Sequence, residues 1–168
     1  MIIRKAEISD LKKIMLMYSS CVSGMIENSI DQWDSTYPNS KIISLDIEKE
    51  TYYVVEDNKS IIGGMNIDQI QDPTYLDIKW EDSSNNFLVV HRLAVKKEYW
   101  NKKIGKKLML HAEKLVEKLN LKSIRLDTYG GNPIAMKFYI KLGYVKKGFV
   151  FLKPGKNEYY CFEKIIKK

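Results

Sequence analysis

The chain has 168 residues, the length of one ordinary domain, and we predict a single domain over residues 1–168. Hydrophobic residues make up 45% of it and charged residues 29%, which excludes a disordered or fibrous protein and indicates a globular one. The net charge of +7 favours anionic partners, a class that includes phosphates, nucleotides, nucleic acids and membrane surfaces.

The N-terminus and the cysteines bear on where the protein works. Met1 to Lys5 turns basic at once and lacks the apolar core of a signal peptide. No apolar run approaches the roughly 20 residues that a membrane-spanning helix needs. Cys21 and Cys161 have no CxxC spacing and no neighbouring histidine, which disfavours a metal or redox site. We therefore expect a cytoplasmic protein that binds neither a metal ion nor a membrane.

Apolar periodicity predicts a strand and a helix at the start of the chain. The strand covers Met1–Ala6, and Ser9 is predicted to cap the helix that follows. This helix carries an apolar stripe that we assign to the core: Leu11, Ile14, Met15, Tyr18, Val22 and Met25. Residues 29–50 are irregular and predict a loop with short helical pieces.

A hairpin and a polar insertion come next. Thr51–Glu56 and Ser60–Ile70 predict two strands around a turn, with a bulge at Gly63 and Gly64. The insertion covers Gln71–Asn86 and is longer than most connections, a feature that is typical of functional loops.

The middle of the chain predicts a strand, a helix and a second strand. The strands cover Phe87–Val95 and Ile124–Thr128, and the helix between them has apolar residues at Ile104, Leu108, Ala112, Leu115, Val116 and Leu119. Such a unit pairs its strands in parallel through a right-handed crossover.

The chain ends with a short helix and a closing hairpin. Asn132 and Pro133 mark the start of the helix and Gly143 its end, while Tyr144–Leu152 and Tyr159–Ile166 form the hairpin. This order of elements predicts an α/β fold in which a mixed sheet carries helices on both faces.

Lysines crowd the start of the crossover helix. Between Lys96 and Lys107 there are six lysines and one glutamate, although the helix dipole favours acidic side chains at this end. A pyrophosphate bound to the free N–H groups of the helix start explains this pattern. The alternative is a solvated, lysine-rich face. A Walker-type loop is excluded, because Trp100 and Lys107 stand where glycine and Ser or Thr are needed.

Three motifs in this half resemble those of the GNAT superfamily of acyl-CoA-dependent N-acetyltransferases. They are His91-Arg-Leu-Ala-Val95, Tyr99-Trp-Asn-Lys-Lys-Ile-Gly105 and Asn132-Pro-Ile-Ala-Met-Lys-Phe-Tyr-Ile-Lys-Leu-Gly-Tyr144. The resemblance implies a mostly antiparallel central sheet with its parallel unit at the cofactor site, and acetyl-CoA as co-substrate.

The resemblance also implies which residues bind acetyl-CoA. Leu93, Ala94 and Val95 match the strand that hydrogen-bonds pantetheine. The pyrophosphate loop corresponds to Trp100, Asn101, Lys102, Lys103, Ile104, Gly105 and Lys106. In this loop Trp100 replaces the usual Gln or Arg, and Lys103 replaces the first glycine. A side chain at position 103 is compatible with a helical backbone. It leaves the cofactor less room to approach the main chain than glycine would.

Catalytic candidates follow from the same motifs. Tyr139 matches the family's general acid, which protonates the departing CoA thiolate, and a phenol with a pKa of about 10 suits that task; the alternative is an aromatic residue packed on the sheet. Asn132 matches a cofactor contact or serves only as an N-cap. His91 is a candidate base for the attacking amine or a structural histidine.

The acceptor site has the fewest signals. Trp33, Tyr37 and Trp80 lie in loops with acidic residues close in sequence, and they predict an aromatic pocket for a cationic amine. The alternative is that these aromatic residues bury their own loops. Neither reading identifies the acceptor.

We therefore expect an N-acetyltransferase that works as a monomer or homodimer, without nucleic acid or a membrane as partner. Its acetyl group passes to a primary amine by direct attack in a ternary complex. The main alternative is a catalytically degenerate CoA-binding sensor or interaction module, in which Trp100 and Lys103 have impaired the loop. A nucleic-acid binder would use the same lysines, but no nucleic-acid-binding motif is present.

Overall fold

A computed structural model describes residues 1–166, so Lys167 and Lys168, which belong to the predicted domain, lie outside the described residues. Four helices are present among them: α1 (Leu11–Glu27), α2 (Ser40–Glu48), α3 (Ile104–Lys118) and α4 (Pro133–Lys141). The strands are β1 (Ile2–Lys5), β2 (Tyr52–Asp57), β3 (Ser60–Asp68), β4 (Phe87–Val95), β5 (Ser123–Tyr129), β6 (Val145–Val150) and β7 (Tyr159–Ile165). The closing hairpin and the crossover unit thus lie close to their predicted bounds.

The strands form a seven-stranded sheet in the order β1-β2-β3-β4-β5-β7-β6. Most neighbours run antiparallel, and β4 pairs with β5 in parallel, from Phe87 opposite Ser123 to Val90 opposite Leu126. This confirms the predicted α/β class, with a mixed, mostly antiparallel sheet that contains one parallel crossover unit.

The described chain divides into two compact units. The first consists of Met1–Ile67 and His91–His111, and the second of Asp68–Val90 with the chain from Ala112 onward. Each has its own hydrophobic cluster, which is expected because apolar side chains must be removed from water within each set of packed elements.

The core of the first unit lies among α1, α2, β2 and the end of β4. The predicted stripe of α1 is confirmed: Ile14, Tyr18 and Met25 are buried, and the remaining members pack at the edge of the cluster. The loop at residues 29–50 contains one regular helix, α2, whose N-cap Asn39 accepts a hydrogen bond from Ile42 N at 3.0 Å.

In the second unit, a buried arginine side chain fixes the polar insertion to the sheet. Arg125 on β5 is 2% exposed, and its guanidinium donates to Gln71 Oε1 at 2.9 Å and to the Asp82 carbonyl at 2.5 Å. Glu163 on β7 is 1% exposed and accepts hydrogen bonds from the N–H groups of Glu81 and Asp82. The insertion is therefore fixed by polar contacts at both of its ends.

Three predictions of local structure are wrong, each by a small displacement along the sequence. Ser9 lies inside a short 3-10 turn, and the chain enters α1 through Asp10, whose carboxylate accepts from Glu7 N at 3.0 Å. The bulge of the hairpin adds Ile62 to β3, next to the predicted glycines. Leu119 is 55% exposed because α3 ends at Lys118.

Candidate active site

Strand β4 contains one residue in the left-handed conformation. Arg92 has φ 53°, which is uncommon for a residue with a side chain. Its carbonyl accepts a hydrogen bond from the Tyr18 hydroxyl at 2.7 Å, and its guanidinium donates to Asp46 Oδ2 at 2.6 Å. These contacts hold Arg92 in place, and the predicted pantetheine residues Leu93, Ala94 and Val95 follow it in β4.

The loop between β4 and α3 contains two further left-handed residues. A 3-10 turn at Lys97–Tyr99 follows β4, and then Asn101 and Lys103 adopt φ 62° and 63°. Lys103 directly precedes α3, and its backbone is left-handed, unlike the helical backbone with which a side chain at this position is also compatible. Lys103 has the conformation that glycine adopts most readily, so the loop keeps a glycine-type path although the glycine itself is absent.

Helix α3 starts directly after this loop. The Lys103 carbonyl accepts from Lys107 N at 3.0 Å, so the N–H groups of Ile104, Gly105 and Lys106 precede the first intrahelical bond. Lys102, Lys103 and Lys106 have exposed side chains. Main-chain N–H groups and exposed lysine side chains thus lie at the same helix terminus. This combination of hydrogen-bond donors and positive charge suits a pyrophosphate.

The helix start lies close to the sheet because β3 has a glycine beneath it. A Cβ atom at Gly63 would lie 3.0 Å from Ile104 Cγ2 and 3.3 Å from the Ala94 carbonyl oxygen. A larger residue would push α3 away from β4, so Gly63 positions the predicted phosphate-binding end of the helix.

Trp100 turns its side chain toward α1. Its indole N–H donates to the Val95 carbonyl at 2.8 Å, and a Cβ atom at Gly24 would lie 2.6 Å from Trp100 Cη2. The indole therefore anchors the loop to α1. A cofactor contact by this side chain stays a prediction.

Helix α4 holds the two candidates of the third motif. Asn132 is 6% exposed, and its Oδ1 accepts from Ala135 N at 3.0 Å, which confirms the N-cap role. Its cofactor contact stays a prediction. Pro133 occupies the first turn of α4, where its missing N–H costs nothing.

Tyr139 is 7% exposed, and its ring packs against Tyr144 and Phe162 with centroid distances of 6.0 Å for both pairs. Burial raises the pKa of Tyr139 above its ordinary value, and the nearby negative charge of Asp127 raises this pKa further. The phenol is therefore fully protonated at neutral pH, as a general acid must be before it acts.

The predicted base and acceptor residues lie in both units. His91 is a half-buried residue of β4 in the first unit. Trp33 is 9% exposed and packs edge-on against Tyr37, with ring centroids 6.4 Å apart, also in the first unit. Trp80 belongs to the second unit, where its ring covers the Arg125 guanidinium at 4.5 Å. All four assignments stay predictions.

Sequence reasoning missed a carboxylate of the second unit. Asp127 on β5 is half-buried, and its Oδ2 accepts a hydrogen bond from the Tyr75 hydroxyl at 2.6 Å. The only signal for it was an acidic residue inside a predicted strand, which is a position where aspartate is rare.

Residues 18–144 match the family described as the acetyltransferase (GNAT) family. The chain belongs to the GNAT acetyltransferase family. This confirms the resemblance that the three motifs carry, and acetyl-CoA is the co-substrate of this acyltransferase.

Solved structures of GNAT proteins share this fold over nearly the whole chain. A GNAT family acetyltransferase from Streptococcus agalactiae 2603 is 23% identical with a TM-score of 0.85, over 99% of this chain and 96% of that one. The PaiA N-acetyltransferase of Thermoplasma acidophilum, solved in complex with coenzyme A, is 23% identical with a TM-score of 0.74, over 98% of each chain.

A curated relative matches a shorter stretch. The spermidine N(1)-acetyltransferase of Thermoplasma acidophilum is 43% identical over 53 residues, which are 32% of this chain. The match spans 33% of that relative's length, about a third of it.

Within residues 1–166, the structure has no group of three or more His, Cys, Asp or Glu side chains that could hold a metal ion. None of the helices in the same range is long and apolar enough to cross a membrane.

Proposed function

We propose that the protein is an N-acetyltransferase that moves the acetyl group of acetyl-CoA to a primary amine by direct attack in a ternary complex. The observation that carries this proposal is the loop before α3. Asn101 and Lys103 keep a left-handed path, and exposed lysines surround the first N–H groups of the helix. This favours an intact CoA-binding loop over the degenerate alternative, in which Lys103 would have spoiled it.

The roles of the loop residues follow from their chemistry. The N–H groups of Ile104, Gly105 and Lys106 donate to the pyrophosphate oxygens, and Lys102 and Lys103 neutralise its charge. Leu93, Ala94 and Val95 bind pantetheine through their main chain. These contacts align the thioester for attack and so lower the entropic part of the barrier.

In the transfer step the amine nitrogen bonds to the thioester carbonyl carbon and the carbon–sulfur bond breaks. The thiolate that leaves takes the phenolic proton of Tyr139, and the amine releases a proton to His91 or to water. A raised pKa keeps Tyr139 protonated until the thiolate forms. No covalent enzyme intermediate is required.

We further propose that the acceptor is a small polyamine-like molecule. The spermidine N(1)-acetyltransferase of Thermoplasma acidophilum supports this acceptor class through its local match. A peptide N-terminus is the competing acceptor, and direct competition between spermidine and an N-terminal peptide would decide between the two.

Calorimetric titration with acetyl-CoA and thiol release with a panel of amines test the proposal together. We expect micromolar binding of acetyl-CoA, weaker binding of adenosine, and release of CoA that depends on the amine. Binding without turnover on any amine would instead support the sensor or interaction module.

Replacement of Tyr139 by Phe tests the general acid. Because a positioned acid contributes about a hundredfold or more to the rate, Tyr139→Phe is expected to lower kcat by that factor and to leave the acetyl-CoA KM nearly unchanged. Tyr144→Phe, a substitution of a neighbouring tyrosine in the same ring cluster, is the matched control. Equal kcat values in Tyr139→Phe and the unaltered protein would remove Tyr139 from the mechanism.

A further inference from the structure

The left-handed residue of β4 is held by a chain of two buried phenols, all within the first unit. The Tyr52 hydroxyl donates to the Tyr18 hydroxyl at 2.9 Å, and the Tyr18 hydroxyl donates to the Arg92 carbonyl at 2.7 Å. A carbonyl oxygen can only accept, so the direction of both hydrogen bonds is fixed. Burial raises the pKa of both phenols, which keeps the two donors protonated at neutral pH.

Packing fixes the positions of both phenols. The Trp33 ring meets the Tyr18 ring edge-on, with centroids 5.7 Å apart. A Cβ atom at Gly64 would lie 2.8 Å from Tyr52 Oη, so a larger residue at this position of β3 would displace the hydroxyl. Both phenols are buried, and bulk water therefore does not replace a hydrogen bond that is lost here.

The side chain of Arg92 is held separately, from α2. Its guanidinium donates to Asp46 Oδ2 through Nε at 3.1 Å and through Nη2 at 2.6 Å, and Asp46 is buried. Breaking a buried ion pair leaves an uncompensated charge, so the guanidinium is kept against α2. Arg92 is thus restrained at its carbonyl by α1 and at its side chain by α2.

Arg92 lies directly before the main chain that we propose to bind pantetheine. A φ of 53° is disfavoured for a residue with a side chain and persists only where the surroundings stabilise it. The other end of the segment Leu93–Val95 is fixed independently, because the Val95 carbonyl accepts from the Trp100 indole at 2.8 Å. The direction of the main-chain groups between these two ends therefore depends on the conformation of Arg92.

We propose that Tyr18 and Asp46 are positioning residues for the pantetheine part of acetyl-CoA. By holding Arg92 in its left-handed conformation, they set the direction of the N–H and carbonyl groups of Leu93–Val95. Pantetheine has two amide groups, and hydrogen bonds to them weaken steeply when the main-chain partner is misaligned. The two side chains act through the main chain and need no contact with the cofactor. This inference rests on the proposed binding of pantetheine by that segment.

Tyr18→Phe tests the phenol chain, because it removes one hydroxyl and keeps the ring. Calorimetric titration compares acetyl-CoA with ADP, which keeps the adenosine and the two linked phosphates of CoA and lacks its pantetheine. Tyr18→Phe is expected to raise the Kd for acetyl-CoA about tenfold, the effect of one hydrogen bond, and to change the Kd for ADP by less than about twofold.

Tyr75→Phe is the matched control for the loss of a buried hydroxyl. Tyr75 is as deeply buried as Tyr18, and its hydroxyl donates to Asp127 Oδ2 at 2.6 Å in the second unit. Its replacement is expected to leave the Kd values for acetyl-CoA and ADP unchanged. Urea unfolding of each variant defines a temperature at which all of them are folded during the titrations.

Substitutions of Arg92 separate the backbone conformation from the ion pair. Arg92→Gly and Arg92→Ala both remove the guanidinium from Asp46, but only glycine adopts φ near 53° without steric cost. The Gly variant is expected to bind acetyl-CoA about tenfold more tightly than the Ala variant, with equal affinity for ADP. Asp46→Asn, which removes the charge and keeps the shape, is expected to raise only the acetyl-CoA Kd, by severalfold.

Three outcomes would overturn the inference: an unchanged acetyl-CoA Kd in Tyr18→Phe, an equal rise in Kd for acetyl-CoA and ADP, and equal acetyl-CoA affinity of the two Arg92 variants. The titrations contain no amine, so their result does not depend on the transfer step. Tyr18-dependent binding without turnover on any amine would contradict the proposed function and keep this inference. Turnover combined with acetyl-CoA binding that is independent of Tyr18 would do the reverse.

Discussion

The start of α3 and the site of Arg125 both contain positively charged side chains, but these cations lie in opposite environments. Arg125 is buried between two rings and faces Glu163, and burial lowers its pKa while the charges of Glu163 and Asp82 oppose that change. Lys102 and Lys103 are exposed at the end of a helix whose dipole repels them. A cation enclosed by protein groups stabilises the fold, whereas a cation exposed at the start of a helix is accessible to the pyrophosphate that we propose.

The largest expected effect concerns the buried cation. Arg125→Met is expected to lower the free energy of unfolding by about 3 kcal/mol or more, because Glu163 would stay buried without the guanidinium and with Lys147 Nζ, 3.8 Å away, as a more distant cation. Urea unfolding measures the change. Addition of Glu163→Gln to this variant is expected to restore part of the loss, because it removes the uncompensated charge.

If Arg125→Met changed stability by less than about 0.5 kcal/mol, the amount typical of surface positions, the contrast between the two basic regions would fail. Loss of stability in the double variant equal to the sum of the two single losses would also contradict a coupled pair.

A smaller effect is expected at the exposed lysines, and on binding instead of stability. Replacement of Lys102, Lys103 and Lys106 by Ala is expected to raise the Kd for acetyl-CoA about tenfold. Each exposed charge contributes a few tenths of a kcal/mol to the free energy of binding an anion. The free energy of unfolding should change by less than about 0.5 kcal/mol. Calorimetry at two salt concentrations and urea unfolding measure both quantities.

The control for that variant replaces three exposed lysines elsewhere, Lys12, Lys41 and Lys114, by Ala. Both variants lower the net charge equally, so a similar rise in Kd in the two would assign the effect to overall charge and not to the helix start.

The smallest expected effect distinguishes the contribution of the backbone conformation at position 103 from the contribution of the lysine charge. Lys103→Gly is expected to stabilise the protein by up to about 1 kcal/mol, because glycine adopts the left-handed region without steric cost. The Kd for acetyl-CoA should stay within about threefold, as only one exposed charge is lost.

Lys103→Val removes the same charge but disfavours φ near 63°, so this variant should weaken both stability and acetyl-CoA binding. Equal behaviour of the Gly and Val variants would show that the left-handed conformation at position 103 has no influence on the loop.

Local patterns predicted much of the architecture because the signals for it are short in range. The stripe of α1, the apolar run of β4 and the cap and proline of α4 each depend on residues within a few turns of each other. The same patterns gave small errors at the ends of helices, where Ser9 lies in a 3-10 turn before α1 and Leu119 follows the last residue of α3. No local pattern indicated the left-handed conformation of Lys103, since it follows from the path of the chain between β4 and α3.

Residues distant in sequence decided the rest of the site. No local pattern pairs Arg125 with Glu163, places Tyr75 on Asp127 or turns Trp100 toward Gly24, since these contacts join residues 38, 52 and 76 positions apart in the chain. They arise only when separate elements pack together.

The α/β class, the GNAT family and the stretch of chain predicted to bind acetyl-CoA could therefore be read from the residue order alone, because periodicity, caps and motifs are properties of neighbouring residues. The left-handed conformation of Lys103, the enclosure of Arg125 and the hydrogen bond from Tyr75 to Asp127 became evident from the folded chain. Backbone strain, burial and long-range hydrogen bonds are properties of the packed chain, in which each group is restrained by partners that the linear order does not reveal.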